Sequence, residues 1–302
     1  MNAIEVDNIV KNYGEVSALK GVSLSVGKHE LFGLIGPDGA GKSSLFRIIA
    51  SLIDADSGKA FVEGTDVSAD YRKVRSIIGY MPGKFSLYQD LTVEENINFF
   101  ASLFGVTLEE NYDLVAPIYK QIEPFKRRRA GRLSGGMKQK LALSCALIHK
   151  PSVLLLDEPT TGVDAVSRSE FWDMLSELRN KGISILVSTP YMDEASRCDR
   201  IALINDGTIL GIDTPSGIIY KYGFKLYSLK GKEKYALLKA ARECDNIKES
   251  YPFGDSSHIV PDTGFDASSF EMKLHESGFP DAEISEIHPG IEDVFIKLMH
   301  NE

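Results

Sequence analysis

Cysteine is scarce in this 302-residue sequence, and the three present, Cys145, Cys198 and Cys244, stand far apart with no CxxC and no Cys/His ligand pattern. A disulfide framework and a zinc ribbon are thereby excluded. Long apolar runs are missing as well. The longest stretch without a charge, Asn96 to Leu108, has 13 residues, where a membrane-spanning helix needs about 20. No basic segment followed by an apolar core opens the chain, so export by the usual signal is not expected. Positive charge is in deficit. The 34 Lys and Arg against 43 Asp and Glu leave a net −9, which offers no general attraction to nucleic acid or anionic lipid. What is present is ordinary. With 43% hydrophobic and 25% charged residues, the composition is that of a globular protein with a sizeable core, and the length suggests about two domains. The expectation is a soluble protein of the reducing cytosol that binds no nucleic acid.

The N-terminal stretch alternates apolar and polar residues, as in Ile4-Glu5-Val6 and Val22-Ser23-Leu24-Ser25-Val26, the pattern of half-buried strands. An apolar strand follows over Leu31 to Ile35, then a Gly-rich turn and a helix from about Lys42 to Leu52. Strand, turn and helix in that order belong to a parallel α/β sheet. From about Leu87 to Lys150 the sequence reads mostly helical, and its last helix, Gly135 to His149, stops at Pro151. Val153 to Leu156 is a buried strand ending in Asp157-Glu158-Pro159. Phe171, Met174, Leu175 and Leu178 mark one face of a helix, and Ile183 to Val187 a further buried strand. Asp206-Gly207 predicts a two-residue hairpin, because both residues accept φ > 0. A boundary falls at Thr214-Pro215-Ser216-Gly217. Beyond it, strands near 225–229, 258–260 and 283–287 alternate with helices near 233–243, 268–277 and from Ile291 onward. A ferredoxin-like arrangement is one candidate for this module.

Chemistry concentrates in three places. Gly36-Pro37-Asp38-Gly39-Ala40-Gly41-Lys42-Ser43 fits GxxxxGK[ST] and lies between an expected strand and helix, the context a phosphate loop requires. Glycine lets the backbone wrap so that its N–H groups face phosphate oxygens, and the following helix brings its positive end to the same charge. Lys42 adds a cation for the β- and γ-phosphates, and Ser43 offers a hydroxyl to Mg2+. Asp157, at a strand's C-terminal end, can hold that Mg2+ through water, while Glu158 can act as general base on an attacking water. By itself a strand ending in Asp-Glu is common; the phosphate loop gives this one its chemistry. Leu133-Ser134-Gly135-Gly136-Met137-Lys138-Gln139 adds a second anion site, since Ser134 can cap the helix and Gly135 and Gly136 leave its first N–H groups open. Two such helix ends in one chain suggest a site shared between two subunits. An ordinary capped helix is the alternative.

With these motifs in this order over residues 3–217, the chain resembles the ATP-binding subunits of ABC transporters: Walker A at 36–43, the signature at 133–139 and Walker B at 153–158. The resemblance implies a P-loop NTPase of the α/β class, with a parallel core sheet, an N-terminal antiparallel β-subdomain and a helical subdomain over about 87–150. Residues 218–302 then form a small C-terminal α+β appendage. It implies ATP and Mg2+ as cofactors. It also implies a head-to-tail dimer, homodimer or heterodimer, that sandwiches ATP between Walker A of one subunit and the signature of the other. Ser134, Gly135 and Gly136 would then touch the partner's nucleotide. Ser44 joins the phosphate-loop contacts, Tyr13 of Lys11-Asn12-Tyr13-Gly14 looks like the aromatic that stacks on adenine, and Asp164 of Thr161-Gly162-Val163-Asp164 looks like the D-loop aspartate. A tyrosine packed at a strand end is the alternative for Tyr13. The tail from Glu286 to Phe295 resembles the appendage of multidrug-type and ABC-2-type exporters. The implied function is an energy-coupling ATPase at the inner face of the cell membrane, in contact with the membrane only through partner membrane subunits.

Two positions depart from the family pattern. Gly83 follows Tyr80-Met81-Pro82 where a glutamine is usual, and Pro190 follows Ser188-Thr189 where the switch histidine is usual. Neither can supply a side-chain donor, and proline lacks a backbone N–H as well. Lys84 and Gln89 are the nearby candidates to replace the glutamine. Two losses in one site argue for slow turnover there, with a complete signature lent to a partner's site. A homodimer that tolerates both changes, a non-hydrolysing regulatory subunit and a soluble ABC ATPase of translation or DNA repair are the rival readings. The run Lys126-Arg127-Arg128-Arg129 reads as a solvated face, His149 as a helix-end residue, Phe99, Phe100, Leu103 and Phe104 as core of the helical part, and the cysteines as buried spacers.

Overall fold

Strands built on continuous apolar runs must be covered on both faces, and three here are: Leu31–Ile35, Val153–Asp157 and Ser184–Thr189 are buried along their whole length. They form the middle of a six-stranded sheet in the order Thr208–Asp213, Arg200–Asn205, Leu31–Ile35, Ser184–Thr189, Val153–Asp157, Ile78–Met81. The last five run parallel and Thr208–Asp213 is antiparallel to its neighbour. Covered faces and continuous apolar runs are the mark of such parallel sheets. The Asp206-Gly207 turn has φ of 42° and 75°, the left-handed pair that a two-residue hairpin needs.

The computed structural model describes residues 2–222 and 224–300, and it divides into two compact units, Met1–Ser216 and Gly217–Glu302. In the first, the alternating N-terminal residues build a second, antiparallel sheet in the order Val16–Gly27, Asn2–Tyr13, Ser57–Val62, Thr65–Asp66. Its inward residues, among them Ile4, Ile9, Leu24 and Val62, share one core with Phe32, Leu45, Phe46 and Leu155 around the helix Lys42–Ile49. That helix stops short of Leu52, because Ser51 sits at φ 55°.

Between the strands Ile78–Met81 and Val153–Asp157 the chain leaves the sheet and forms the helices Val93–Leu103, Tyr112–Tyr119 and Gly135–Leu147. A capping box at Thr92 and Glu95 starts the first, satisfying two orphan donors at once. This start sets the helix phase, so Val93, Ile97 and Ala101 face inward. Leu103 and Phe104 are consequently not core: they are 62% and 40% exposed. Phe99 and Phe100 are half-buried. Phe104 instead stacks on His149, centroids 3.8 Å apart, and His149 Nε2 bonds the carbonyl of Ile78 at 2.9 Å. The basic run is exposed at Arg127, Arg128 and Arg129, with Arg128 over the Phe125 ring at 4.5 Å and Lys126 paired to Glu94 at 3.2 Å.

The second unit has its own core, built on Leu229, Leu237, Ala241, Ile259, Phe270 and Leu274. Its four-stranded antiparallel sheet runs Ile247–Phe253, Ser256–Pro261, Leu226–Lys230, Glu283–Ile287, and the helices Lys234–Arg242 and Ala267–Glu276 follow its first and third strands in chain order. This is a βαββαβ connectivity. A closing helix, Ile291–His300, is tied back to the sheet through Asp293, which accepts from Tyr251 Oη at 2.9 Å and lies 2.6 Å from His258 Nδ1.

Candidate functional site

The register of the parallel sheet decides what meets at its edge. Ile35 pairs with Thr189, Asp157 with Ser188 and Met81 with Leu156. Gly36, Glu158, Pro190 and the Pro82-Gly83 turn therefore all emerge at the C-terminal edge, where open α/β sheets bind ligands. Glycine is imposed at two loop positions. A Cβ on Gly36 would stand 2.1 Å from the Ile204 carbonyl oxygen, and one on Gly41 (φ 100°) would stand 2.3 Å from that of Ala18. The hairpin turn buttresses the loop, since Gly207 N–H donates to the Ala40 carbonyl at 3.1 Å.

Pro37 is half-buried at the loop, and Asp38 and Gly39 are exposed at its tip. Lys42 is 3% exposed. Its Nζ donates to the carbonyls of Gly36 at 2.8 Å and Pro37 at 2.9 Å, and lies 3.0 Å from Glu158 Oε1. Ser43 and Ser44 follow in the first turn, half-buried. Asp157, 3% exposed, accepts from Ser188 Oγ at 2.8 Å, and the same hydroxyl accepts from the Glu158 N–H at 2.9 Å. These bonds hold Glu158 at φ 49°, a conformation uncommon for a residue with a Cβ. Nearby Tyr80 has its hydroxyl pushed up to about 12, first by burial and then by the charge of Asp157. Ser188 has no motif to announce it; only its pairing with Asp157 in the sheet register brings it to the site.

Gly83 lies against the same group. A Cβ there would stand 3.1 Å from the Asp157 carbonyl oxygen and 3.8 Å from Oδ2. Gln89 turns elsewhere and packs on Gly131, whose N–H donates to the Gln89 carbonyl at 2.9 Å. Lys84 is exposed.

Ser134 caps the helix Gly135–Leu147 by accepting from the Met137 N–H at 3.4 Å. Ser134 and Gly135 are exposed, whereas Gly136 is buried against Ser167, whose Oγ would be 2.7 Å from a Cβ at that position. Asp164 caps the next helix, Ala165–Asn180, accepting from the Ser167 N–H at 3.0 Å, and that bonding holds its carboxyl below the usual range. The signature start and the Asp164 segment thus share one surface. Among the described residues, no hydrogen bond or ion pair joins Ser134, Gly135 or Gly136 to the phosphate loop of the same chain. Tyr13, 46% exposed, ends its strand with Lys11 Nζ 5.7 Å from its ring centre.

No group of three or more His, Cys, Asp or Glu able to hold a metal occurs among the described residues. A divalent cation here would have to complete its shell with water and phosphate oxygens. The Ser43 hydroxyl and the Asp157 carboxylate are hard oxygen donors of the kind Mg2+ takes in that situation, so the residues fit it.

Known proteins of similar sequence and fold share one kind of name. The sequence profile described as "ABC transporter" matches residues 19–161. The "Probable multidrug ABC transporter ATP-binding protein YbhF" of Escherichia coli (strain K12) is 40% identical over 273 residues, which cover 88% of this chain and 46% of that protein. This chain therefore spans about half the length of that relative. The "Nod factor export ATP-binding protein I" of Rhizobium sp. (strain N33) is 32% identical over 306 residues, covering 99% of this chain and 98% of that one. Among solved structures, "Structure of ATP binding subunit of ABC transporter" aligns with a TM-score of 0.67 at 28% identity, over 73% of this chain and 93% of that one. "Dimeric structure of a post-hydrolysis state of the ATP-binding cassette MJ0796 bound to ADP and Pi" aligns with a TM-score of 0.63 at 26% identity, over 70% and 98%.

Proposed function

The chain belongs to the family of ABC transporter ATP-binding subunits, and from that membership we propose that it binds and hydrolyses ATP to energise a membrane exporter, as one half of a head-to-tail dimer. The observation that carries this reading is the meeting of Lys42, Asp157 and Glu158 at one sheet edge, with Lys42 Nζ 3.0 Å from Glu158. ATP is the substrate. Its phosphates are held by the loop N–H groups of Asp38, Gly39, Ala40 and Gly41, by Lys42, and by the first turn at Ser43 and Ser44, with Gly36 turning the chain into the loop. Proline at 37 offers no such N–H, so that position serves by its fixed φ alone. Ser43 and Asp157 hold Mg2+, whose charge offsets that of the phosphates. Glu158 orients and deprotonates the attacking water. Tyr13 stacks on the adenine, and Ser134, Gly135, Gly136 and Asp164 serve the partner's nucleotide. Export rather than import rests on relatives named for multidrug transport and Nod factor export.

The site turns over slowly by itself. A positioned proton-handling or charge-stabilising group contributes about 10²–10⁴ in rate, and Gly83 and Pro190 each withhold one. The subunit accordingly works best paired with a second ATP-binding chain, docked through membrane subunits on the inner face of the membrane. Residues 1–217 carry the nucleotide machinery and 218–302 a ferredoxin-like appendage. The test is phosphate release by the purified chain, alone and with a co-purifying partner, for wild type, Glu158→Gln and Lys42→Ala. Slow, Glu158-dependent release alone and faster release in the pair are expected. Brisk release by the isolated chain would refute the slow site. The same two departures favour a second reading, a nucleotide-binding regulator that does not hydrolyse. A thermal shift with Mg-ATP, abolished by Lys42→Ala and accompanied by no phosphate release in either setting, would establish that reading.

A further inference from the structure

Glu194 is a buried carboxylate that the chemistry above does not use. It is 4% exposed and lies in the short helical turn Met192–Arg197, just beyond the strand Ser184–Thr189. Its Oε2 accepts from Thr160 Oγ1 at 3.1 Å and from Thr189 Oγ1. Among the described residues its Oε1 has no hydrogen-bond partner, and it faces the Arg168 guanidinium, with Nε at 3.7 Å. Arg168 also stacks on the Tyr191 ring at 4.9 Å, and the Tyr191 N–H donates to Thr189 Oγ1 at 3.1 Å. A buried carboxylate is costly unless paired and hydrogen-bonded. This one is incompletely satisfied, so packing alone does not account for it.

What it joins is informative. Thr160 stands two residues beyond Glu158, in a turn braced by two long backbone bonds, Thr161 N–H to Glu158 at 3.2 Å and Val163 N–H to Thr160 at 3.3 Å. Thr189 and Tyr191 flank Pro190. Arg168 neighbours Ser167, the residue that Asp164 caps and Gly136 packs against. We propose that Glu194 is a positioning residue for ATP hydrolysis: by holding Thr160 and Thr189 together it fixes the turn bearing Glu158 against the Pro190 segment, and through Arg168 it ties both to the helix that Asp164 begins. This rests on the ATPase reading given above. Where position 190 supplies no donor, the clasp keeps the general base in place.

The test uses the full chain with Glu194→Ala, Glu194→Gln and Thr160→Val, reading kcat and KM for Mg-ATP and, without nucleotide, hydrogen exchange at the amides of Thr161, Val163 and Tyr191. Glu194→Ala is expected to lower kcat about tenfold while KM stays within about twofold, the signature of an interaction that counts in the transition state only. Glu194→Gln still accepts both hydroxyls and retains most of the rate. Adding Thr160→Val to Glu194→Ala costs little more, because the two act as one unit. Exchange at the three amides speeds up in Glu194→Ala. An unchanged kcat in folded Glu194→Ala, a parallel rise in KM, or additive losses would overturn the proposal. If wild type shows no Glu158-dependent turnover, the ATPase reading is what has failed, and unchanged exchange in Glu194→Ala then overturns the clasp independently. Should Glu194→Ala not fold, Thr160→Val, which removes a single hydroxyl, is read by the same criteria.

Discussion

Replacing Gly83 with glutamine should speed phosphate release at this chain's own site. The backbone at Gly83 lies outside the left-handed region, so a side chain is conformationally admissible there. The added Cβ would stand 3.1 Å from the Asp157 carbonyl oxygen and 3.8 Å from Oδ2. The side chain therefore starts beside the carboxylate assigned to Mg2+, and the carbonyl contact asks for a displacement of a few tenths of an ångström. Crowding of this kind costs on the order of 1 kcal/mol. The gain is larger. A factor of about 10²–10⁴ from one positioned group corresponds to about 2.7–5.5 kcal/mol of barrier. Because position 190 still lacks its donor, the single variant should reach the lower end, about a hundredfold, and Pro190→His should add to it. The assay is steady-state phosphate release at saturating Mg-ATP for Gly83→Gln, Pro190→His and the double variant. Each is paired with Glu158→Gln, which must abolish the gain. A folded Gly83→Gln protein that still shifts its melting temperature with Mg-ATP, yet releases phosphate no faster, alone or with Pro190→His, would refute the reasoning.

Gly36→Ala should lower stability by about 3 kcal/mol or more, because its Cβ would meet the Ile204 carbonyl oxygen at 2.1 Å; an unchanged urea midpoint would contradict this. Burial holds His149 below the usual imidazole value of 6.5, so the unfolded chain takes up its proton first. Stability is complete above that value and falls as the pH drops through it, by at most about 1.4 kcal/mol per pH unit. His149→Gln should flatten this slope in urea midpoints measured between pH 5 and 7, and an equal slope in both proteins would be decisive against it. Burial raises the thiols of Cys145 and Cys198 above their ordinary value. A thiol reagent should therefore modify only half-buried Cys244 in the native protein and all three cysteines in denaturant; rapid reaction of more than one native thiol would be inconsistent with the packing.

The parallel core is legible in the sequence because its central strands carry continuous apolar runs, Leu31–Ile35, 153–156 and 185–187, and the first two lead into residues of obvious chemistry. Elements at the margins are not. Ser57–Val62 opens with Ser57, Gly58 and Lys59, all exposed, and only Ala60 and Val62 are buried, so it shows no alternation until its partner is known. Ile247–Phe253 is an edge strand and carries Pro252, which an edge tolerates because one side of the ladder is unpaired. Its polar Lys248, Glu249 and Ser250 read as loop. The placing of Leu103 and Phe104 in the core fails for a different reason. Periodicity alone leaves the phase of Val93–Leu103 free, and the capping box at Thr92 settles it.

The same distinction runs through the site. A motif specifies the residues proposed to face a nucleotide, and these stand out in the sequence: the glycines, Lys42, Ser43, Asp157, Glu158 and Ser134. The residues bonded to them, directly or through Thr189, come from elsewhere in the chain: Ser188 and Thr189 are brought in by sheet register and Glu194 by the turn that follows, and none has a signature of its own. Their state bears on what Gly83 and Pro190 mean. Glu158 sits at φ 49°, and holding a residue with a Cβ there costs of order 1–3 kcal/mol. That cost is met by a specific arrangement: the Ser188 hydroxyl and carbonyl both receive the Glu158 N–H, at 2.9 and 3.2 Å, and the same hydroxyl fixes Asp157 at 2.8 Å. A site kept only to grip nucleotide has no use for a carboxylate held in a strained backbone as a general base would be. The supports of Glu158 are intact although Gly83 and Pro190 stand where glutamine and histidine are usual, and this favours the proposed hydrolytic reading over the proposed binding-only one.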